Sequence, residues 1–331
     1  MRNHLGELCK NGSRTPITRL LVVIKLGLGL SVLLLSIANL LEFMPGRFSF
    51  PLPQYDLGSY YFAAASLNEN SQSALYEPGQ LRTTATKIDF GGMLPPYIYP
   101  PIWTILLKPI ARLPLDSAKV LWLGVNLIAI WVSTILLLRA FEISHSLKVA
   151  VLLGTALIAF PPVTLTFVLG QVNLILLALL AGVIVLTRRY QDASWVELLA
   201  GWLLGLAIAI KLFPALFLVY FVLQRRFRVV LWSGIAFITF CIIGIWGDGP
   251  ANTIDFFTQM LLHLGKEGKQ SWINQSILGV SERLFGEYSW TFDFPLVPEG
   301  RMTIGVVPIA HNLQLGRWIA RAITILLGAT T

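Results

Sequence analysis

Eight apolar runs set the terms for this chain, at 20–41, 98–113, 117–140, 148–163, 165–187, 195–223, 228–246 and 308–329. A helix needs about 20 apolar residues to cross the hydrocarbon core of a bilayer. A chain that repeats such runs from end to end has no soluble arrangement that hides them all. Only 13% of the residues are charged, against about 25% in an average soluble domain, so there is too little polar surface to cover a water-borne core. The same apolar content, 55%, excludes disorder. Cysteine occurs only at Cys9 and Cys241, which excludes a disulfide scaffold and a cysteine-rich zinc site. The fold expected is all-α: a polytopic membrane protein with about 8–9 transmembrane helices, forming one integral membrane domain over residues 1–331.

Charge sets the orientation. Residues 1–19 carry Arg2, Lys10, Arg14 and Arg19 ahead of the first run, and the positive-inside rule keeps that tail cytoplasmic. The run is too long for a signal-peptide core, so it reads as an uncleaved first helix with Lys25 snorkelling to the inner interface. The net charge of +8 comes mainly from basic residues at the ends of apolar runs. That pattern points to anchoring in the cytoplasmic (inner) membrane as a multi-pass protein and not to nucleic acid, for which no basic, aromatic-interleaved patch exists. The middle admits two readings. In one, 98–113 crosses and 195–223 is a single helix kinked near Lys211 and Pro214; in the other, 98–113 is re-entrant and 195–223 divides in two. Both put the hydrophilic stretches 44–97 and 247–302 on the same, outer face. Those two extracytoplasmic loops hold 11 of the 17 carboxylates, so water and chemistry are expected there.

Five places carry residues suited to chemistry. Asp56, flanked by aromatics in the first outer loop, has the type and setting of a general base on a sugar hydroxyl, and Tyr60 offers a ring for the sugar. The structural alternative is a helix N-cap at Asp56 opening an interfacial helix over 57–67, with its tyrosines in an aromatic belt. Tyr99, before Pro100 and Pro101, stands where proline at a first turn starts a helix without cost, and at the interface it lines a site or simply marks that start. The Gly170-Gln171-Val172-Asn173 break interrupts an apolar hairpin, and irregular backbone at membrane depth survives only inside protein or along a cavity. Gln171 and Asn173 therefore donate to a phosphate or sugar hydroxyl, or else join helices. Lys211 lies between Ala-Ile-Ala-Ile and Leu-Phe-Pro, where a central lysine costs about 3 kcal/mol, so it faces a cavity or an anion such as phosphate unless the helix divides and it snorkels. In the second outer loop, His263 is a proton acceptor or a solvated side chain, and Asn274-Gln275-Ser276 fits a glycosylation sequon. No metal-ligand spacing, Walker loop or dinucleotide fingerprint occurs, so neither metal nor cofactor is expected.

The order of these motifs resembles a known family. Asp56-Leu-Gly-Ser-Tyr-Tyr-Phe-Ala-Ala, Leu75-Tyr76, Tyr99-Pro-Pro, Gly170-Gln-Val-Asn173, Gly205-Leu-Ala-Ile-Ala-Ile-Lys211-Leu-Phe-Pro214, Gln224-Arg-Arg-Phe-Arg228 and Asn274-Gln-Ser276 follow one another. Together they are similar to the polyprenyl-phosphate-mannose-dependent alpha-mannosyltransferases, glycosyltransferase family 87 of the GT-C superfamily. The resemblance implies a GT-C-like membrane enzyme that moves a sugar, mannose by the family's habit, from a polyprenyl-phosphate-linked donor to a glycolipid or glycan acceptor. The reaction would take place on the outer side of the membrane, with the donor's tail held among helices and membrane lipid. It implies Asp56 as the catalytic acid–base residue, with His263 as an alternative base, and Lys211, Gln171, Asn173, Asn274 and Gln275 around the cavity. The sequence stops at Thr331, where relatives continue with more helices, which implies a short or truncated member. Two other classes compete. A lipid-carrier or small-solute transporter would also place a lysine among broken helices, but would show two matching halves. A non-catalytic relative would bind lipid phosphate without turnover.

Overall fold

The computed structural model describes residues 54–69, 74–77, 79–88, 90, 94–143, 147–190, 194–264, 277–286, 288–293, 301–306 and 308–330. They fall in two compact units, Met1–Phe256 and Phe257–Thr331.

In the first unit the helices are α1 (Tyr55–Glu69), α2 (Gln80–Thr86), α3 (Pro101–Leu107), α4 (Leu115–Ala140), α5 (Leu147–Ala159), α6 (Pro161–Leu169), α7 (Asn173–Arg189), α8 (Ser194–Ile210), α9 (Leu216–Leu223), α10 (Phe227–Asp248) and α11 (Pro250–Asp255). Two of them, α4 with 26 residues and α10 with 22, are long and apolar enough to cross a membrane. A third span exists if Val149–Ala159 and Pro161–Leu169 count as one, bent by 65°. The bend comes from Pro161 and Pro162, which are tolerated in a new first turn but not inside a continuing helix. The helices part at Phe160, just before the proline pair, and again at 170–172, where the Gly-Gln-x-Asn break was expected; the division of the apolar runs between 163 and 165 is not a helix boundary.

Elsewhere, too, the apolar runs are cut by local chemistry. The 98–113 run holds only the seven residues of α3, about 10 Å of helix, followed by a 3-10 turn at Ile110–Arg112. The 195–223 run is divided: α8 ends at Ile210, a 3-10 turn covers Phe213–Ala215 around Pro214, and α9 adds eight residues. The division of 195–223 is the one that the second reading of the middle expects.

Helix α8 packs between α7 and α10, and α4 lies against α7. Close approach is built on small residues. A Cβ on Gly201 would fall 2.4 Å from Trp232 Cβ, and one on Gly205 would fall 2.5 Å from Ala236 Cβ and 2.7 Å from the Ser233 carbonyl oxygen. This small-xxx-small stripe lets the α8 and α10 backbones approach, the usual way apolar helices attract without water. Helix α3 packs against both α1 and α10 and so ties the amphiphilic segment to the long helices.

The second unit contains α12 (Leu261–Leu264), α13 (Ile277–Phe285), α14 (Leu313–Thr330) and the antiparallel hairpin β1 (Tyr288–Asp293) with β2 (Arg301–Val306), paired from Tyr288–Val306 to Asp293–Arg301. A hairpin was not among the elements expected of an all-α chain. Its sequence alternates within a polar stretch rather than in an apolar run, so hydropathy alone gave no reason to look for it. Helix α13 packs on α14, where Arg317 Nε donates to the buried Glu282 Oε1 at 2.8 Å.

Candidate functional site

Four chain breaks bring the site together. Helix α1 opens at Tyr55, immediately after Gln54, whose φ of 46° turns the chain into the helix. Asp56 therefore stands in the first turn and not at the cap, and the helix runs from Tyr55 to Glu69, two residues beyond the 57–67 expectation at either end. Gln54 is fixed from three sides: its N–H donates to the Val168 carbonyl at 2.9 Å, its carbonyl accepts from the Gly58 N–H at 2.9 Å, and its side chain donates to the Lys119 carbonyl at 3.1 Å.

The second break is Gly170, which ends α6 in the left-handed region, with φ 70°. A Cβ there would sit 2.8 Å from Gln54 Cβ and 2.9 Å from Leu57 Cβ. Glycine thus serves both the αL cap and the contact with the start of α1. The Gly170 carbonyl accepts from Trp122 Nε1 at 2.8 Å, and the Gln171 N–H donates to the Thr166 carbonyl at 3.0 Å. This closure brings the Gln171 side chain near the Asp56 carboxyl, where it favours the ionised form.

Lys211 occupies the third break. Its N–H still reaches the Ala207 carbonyl at 3.0 Å, but the helix ends there, and its Nζ donates to Asn173 Oδ1 at 3.3 Å. Asn173 Nδ2 in turn donates to Gln171 Oε1 at 2.7 Å. The fourth break is the Tyr99-Pro100-Pro101 start of α3, with Pro101 in its first turn. The Lys211 ammonium lies 5.5 Å from the Tyr99 ring centroid, within reach of the ring's negative face.

Tyr60 donates from its hydroxyl to that of Tyr99 at 2.9 Å. Its ring is fully buried, 4.8 Å from Tyr99, 5.8 Å from Trp103 and 6.2 Å from Trp122 between centroids, all near-perpendicular. With no free face to offer a sugar, Tyr60 bears on the site through the hydroxyl of Tyr99.

Burial raises the affinity of the Asp56 carboxyl for its proton above the ordinary carboxylate range, and the Gln171 hydrogen bond and the Lys211 charge partly offset that effect. The result is a partly buried carboxylate with an amide and a cation nearby. Such a group can accept a proton, while the ammonium can meet an anion of a bound ligand.

Six of the nine residues singled out in the sequence meet here: Asp56, Tyr60, Tyr99, Gln171, Asn173 and Lys211. His263 belongs to α12 in the second unit, and Asn274 and Gln275 lie outside the described residues.

A second polar cluster, unmarked in the sequence, braces Tyr99. Asp248, at the end of α10, is buried and accepts from Thr104 of α3; Lys108 Nζ lies 3.6 Å from its Oδ1 and donates to the Gly247 carbonyl at 2.9 Å. Asn252 donates to the Asp248 carbonyl at 3.0 Å and accepts from the Leu75 N–H at 3.1 Å. The next residue, Tyr76, donates to the Tyr99 carbonyl at 2.7 Å. The brace was hidden because Asp248 closes an apolar run and reads as one more outer-loop carboxylate; only its burial distinguishes it. Among the described residues no group of three or more His, Cys, Asp or Glu is disposed to hold a metal ion.

Comparison with known proteins gives a consistent result. The sequence profile of Glycosyltransferase family 87 matches residues 97–329. The chain is 28% identical over 211 residues to the polyprenol-phosphate-mannose-dependent alpha-(1-2)-phosphatidylinositol mannoside mannosyltransferase of Mycolicibacterium smegmatis, covering 59% of this chain and 46% of that protein. It is 30% identical over 210 residues to the protein of the same name from Mycobacterium tuberculosis, covering 58% and 47%. It is also 32% identical over 137 residues to an alpha-(1->3)-arabinofuranosyltransferase of Mycolicibacterium smegmatis, covering 41% and 31%. The chain spans about half the length of the curated mannosyltransferases it matches. No solved structure matches it.

Proposed function

Since the chain belongs to glycosyltransferase family 87, we propose that it works as a membrane glycosyltransferase, moving a hexose from a polyprenyl-phosphate carrier to a glycolipid or glycan acceptor at the extracytoplasmic face of the cytoplasmic membrane. Mannose is the first sugar to test, because the two mannosyltransferases above are named for that donor. The reading treats the whole chain as one multi-pass enzyme with about 8–9 crossings.

The chemistry is a displacement at the anomeric carbon. The acceptor hydroxyl oxygen attacks that carbon, the bond from carbon to the carrier's phosphate oxygen breaks, and the electron pair leaves with the lipid phosphate. The hydroxyl proton passes to the Asp56 carboxylate. Lys211 meets the negative charge of the phosphate, and Tyr99, set by Tyr60 and Tyr76, flanks the same space. The donor itself is the only organic group the reaction needs, and phosphate is already a stable leaving group, so no metal or other cofactor enters the proposal.

One observation carries the reading: a partly buried carboxylate lies near a lysine ammonium that is hydrogen-bonded to Asn173 and through it to Gln171, at the meeting of four chain breaks. Irregular backbone of this kind is kept inside protein or along a cavity, and a carboxylate with a cation beside it at that place suits a ligand. The test is transfer from labelled polyprenyl-phosphate-mannose to a panel of phosphatidylinositol mannosides by purified protein in lipid nanodiscs, with a polyprenyl-phosphate arabinofuranose arm. Asp56→Asn should lower turnover by about 100-fold or more while leaving donor binding in place. Full turnover by that variant would remove Asp56 as the base.

A further inference from the structure

Tyr99 is held at both ends by hydroxyls from other parts of the fold. Its carbonyl lies just ahead of α3, beside two prolines that lack N–H groups, and it accepts from the Tyr76 hydroxyl at 2.7 Å. At the other end its own hydroxyl accepts from that of Tyr60 at 2.9 Å. Tyr76 is itself fixed: its ring stands 5.8 Å from that of Tyr97 and 6.0 Å from that of Phe256. The residue before it is tied down as well, since the Leu75 N–H donates to Asn252 Oδ1 at 3.1 Å and Asn252 Nδ2 donates to the Asp248 carbonyl at 3.0 Å. The Asp248 carboxylate accepts from Thr104 of α3, the helix that Tyr99 introduces, so the circuit returns to its start. Leu75, Asn252, Asp248, Thr104 and Tyr99 are all buried. What the circuit presents is a ring face, and over it, 5.5 Å from the centroid, lies the Lys211 ammonium. Among the described residues Asn173 is the hydrogen-bond acceptor of that ammonium, at 3.3 Å, which leaves N–H groups for an anion.

We propose that the Tyr99 ring is the seat of the Lys211 ammonium, and that Tyr76 and Asn252 are positioning residues for capture of the donor's phosphate: they hold the ring, and the ring holds the cation where it meets the anion. The inference rests on the role given above to Lys211 and adds to it the residues that aim it. The physical basis is preorganisation. A lysine ammonium rides on a flexible four-carbon stem, and ordering that stem at the moment of binding subtracts from affinity. One long hydrogen bond does not fix it, whereas an aromatic face beneath it supplies a second, directional attraction. That attraction is useful only if the face is aimed. A hold on the Tyr99 carbonyl sets the backbone from which the ring projects, and a hold on its hydroxyl sets the tip, so the plane between them has a fixed direction. Tyr99 is 6% exposed, so its ring serves the cation and has little surface left for a sugar. Asn252, on α11, acts through Leu75, Tyr76 and Tyr99.

The test is binding of polyprenyl phosphate, without a sugar, to the full chain in nanodiscs by titration calorimetry, with a thermal melt of every variant. Tyr99→Leu should weaken binding about tenfold, the size of a desolvated cation–π contact, and Tyr99→Phe should recover most of that loss. Tyr76→Phe and Asn252→Leu, each removing hydrogen bonds from the circuit, should weaken binding about threefold or more. In a Lys211→Met background neither should make a further difference. With the sugar-bearing donor, KM should rise in both by more than kcat falls. Gly154→Ala, which crowds Trp131 away from the circuit, is the control and should lower the melting temperature without moving Kd. The inference is overturned if Tyr76→Phe and Asn252→Leu both keep the parent's Kd while Lys211→Met loses binding. It is overturned as well if they weaken binding equally without Lys211, or if Kd follows melting temperature in Gly154→Ala as it does in them, which would make the circuit a matter of stability alone. Failure of the underlying reading looks different: there Lys211→Met itself binds polyprenyl phosphate as tightly as the parent.

Discussion

Replacing Gly170 by alanine tests the construction of the site without any assumption about substrate. The residue has φ 70°, where a Cβ costs about 1–2 kcal/mol. The added atom would also stand 2.8 Å from Gln54 Cβ, 2.9 Å from Leu57 Cβ and 3.2 Å from Gln54 Cα. Two of those contacts are to the first atoms of their side chains and one is to backbone, so no rotamer change relieves them. Overpacking of this kind costs about 1–3 kcal/mol. The sum is about 2–5 kcal/mol, and relaxation would move Gln171 away from Asp56, so transferase activity should fall as well. The assay is equilibrium unfolding in detergent, followed by tryptophan fluorescence, which reports on Trp122 and its bond to the Gly170 carbonyl. Gly124→Ala is the control. Nothing lies within 4 Å of its Cβ, and in the interior of α4 the change should be neutral or stabilising by up to about 1 kcal/mol. If Gly170→Ala unfolds within about 0.5 kcal/mol of the parent, the close contact between α6 and the start of α1 is not what fixes the site.

Three other outcomes follow from the geometry. Because burial raises the proton affinity of Asp56 in the folded chain, the folded state binds the proton more tightly than the unfolded one, and stability should rise as pH falls through the folded-state midpoint towards the ordinary carboxylate value. Asp56→Asn should therefore be more stable than the parent at neutral pH, with the advantage shrinking across that window in paired thermal melts; an advantage constant with pH would contradict the assignment. Lys108→Met leaves the Asp248 carboxylate buried without its cation and should cost on the order of 3 kcal/mol in chemical unfolding, with Lys108→Met/Asp248→Leu recovering a measurable part. Gly205→Ala should destabilise by about 1–3 kcal/mol while Gly234→Ala, with open space around it, should not; equal effects would show that α8 and α10 do not depend on close approach.

The frame and the charged ends of the site were legible because lipid punishes exceptions. A lysine inside an apolar run, a Gly-Gln-x-Asn break and a carboxylate beside tyrosines each stand out against a background that is 55% hydrophobic, and all three meet in space. What stayed illegible depends on packing. Tyr60 reads as an interfacial ring, and only the surrounding Tyr99, Trp103 and Trp122 reveal that it is enclosed. Asp248 is far in sequence from Thr104 and Lys108, which stand one helical turn apart, and it meets them because the short α3 lies against the end of α10. Hydropathy is continuous through Pro161 and Pro162 and marks no boundary there; the prolines mark it, since the backbone at Pro161 obeys ring geometry and not polarity.

The use of chain breaks has one more consequence, which lies in the polarity of the peptide groups. Asp56 stands in the opening turn of its helix, where free N–H groups carry partial positive charge, and Lys211 follows the closing turn of its helix, where free carbonyls carry partial negative charge. Each ionised side chain thus has a complementary helix end beneath it as well as an opposite charge in front of it. Exchanging the two residues would preserve their mutual attraction and still fail, because each would then face a pole of its own sign. The backbone, and not the side chains alone, thus favours a carboxylate at the first position and an ammonium at the second.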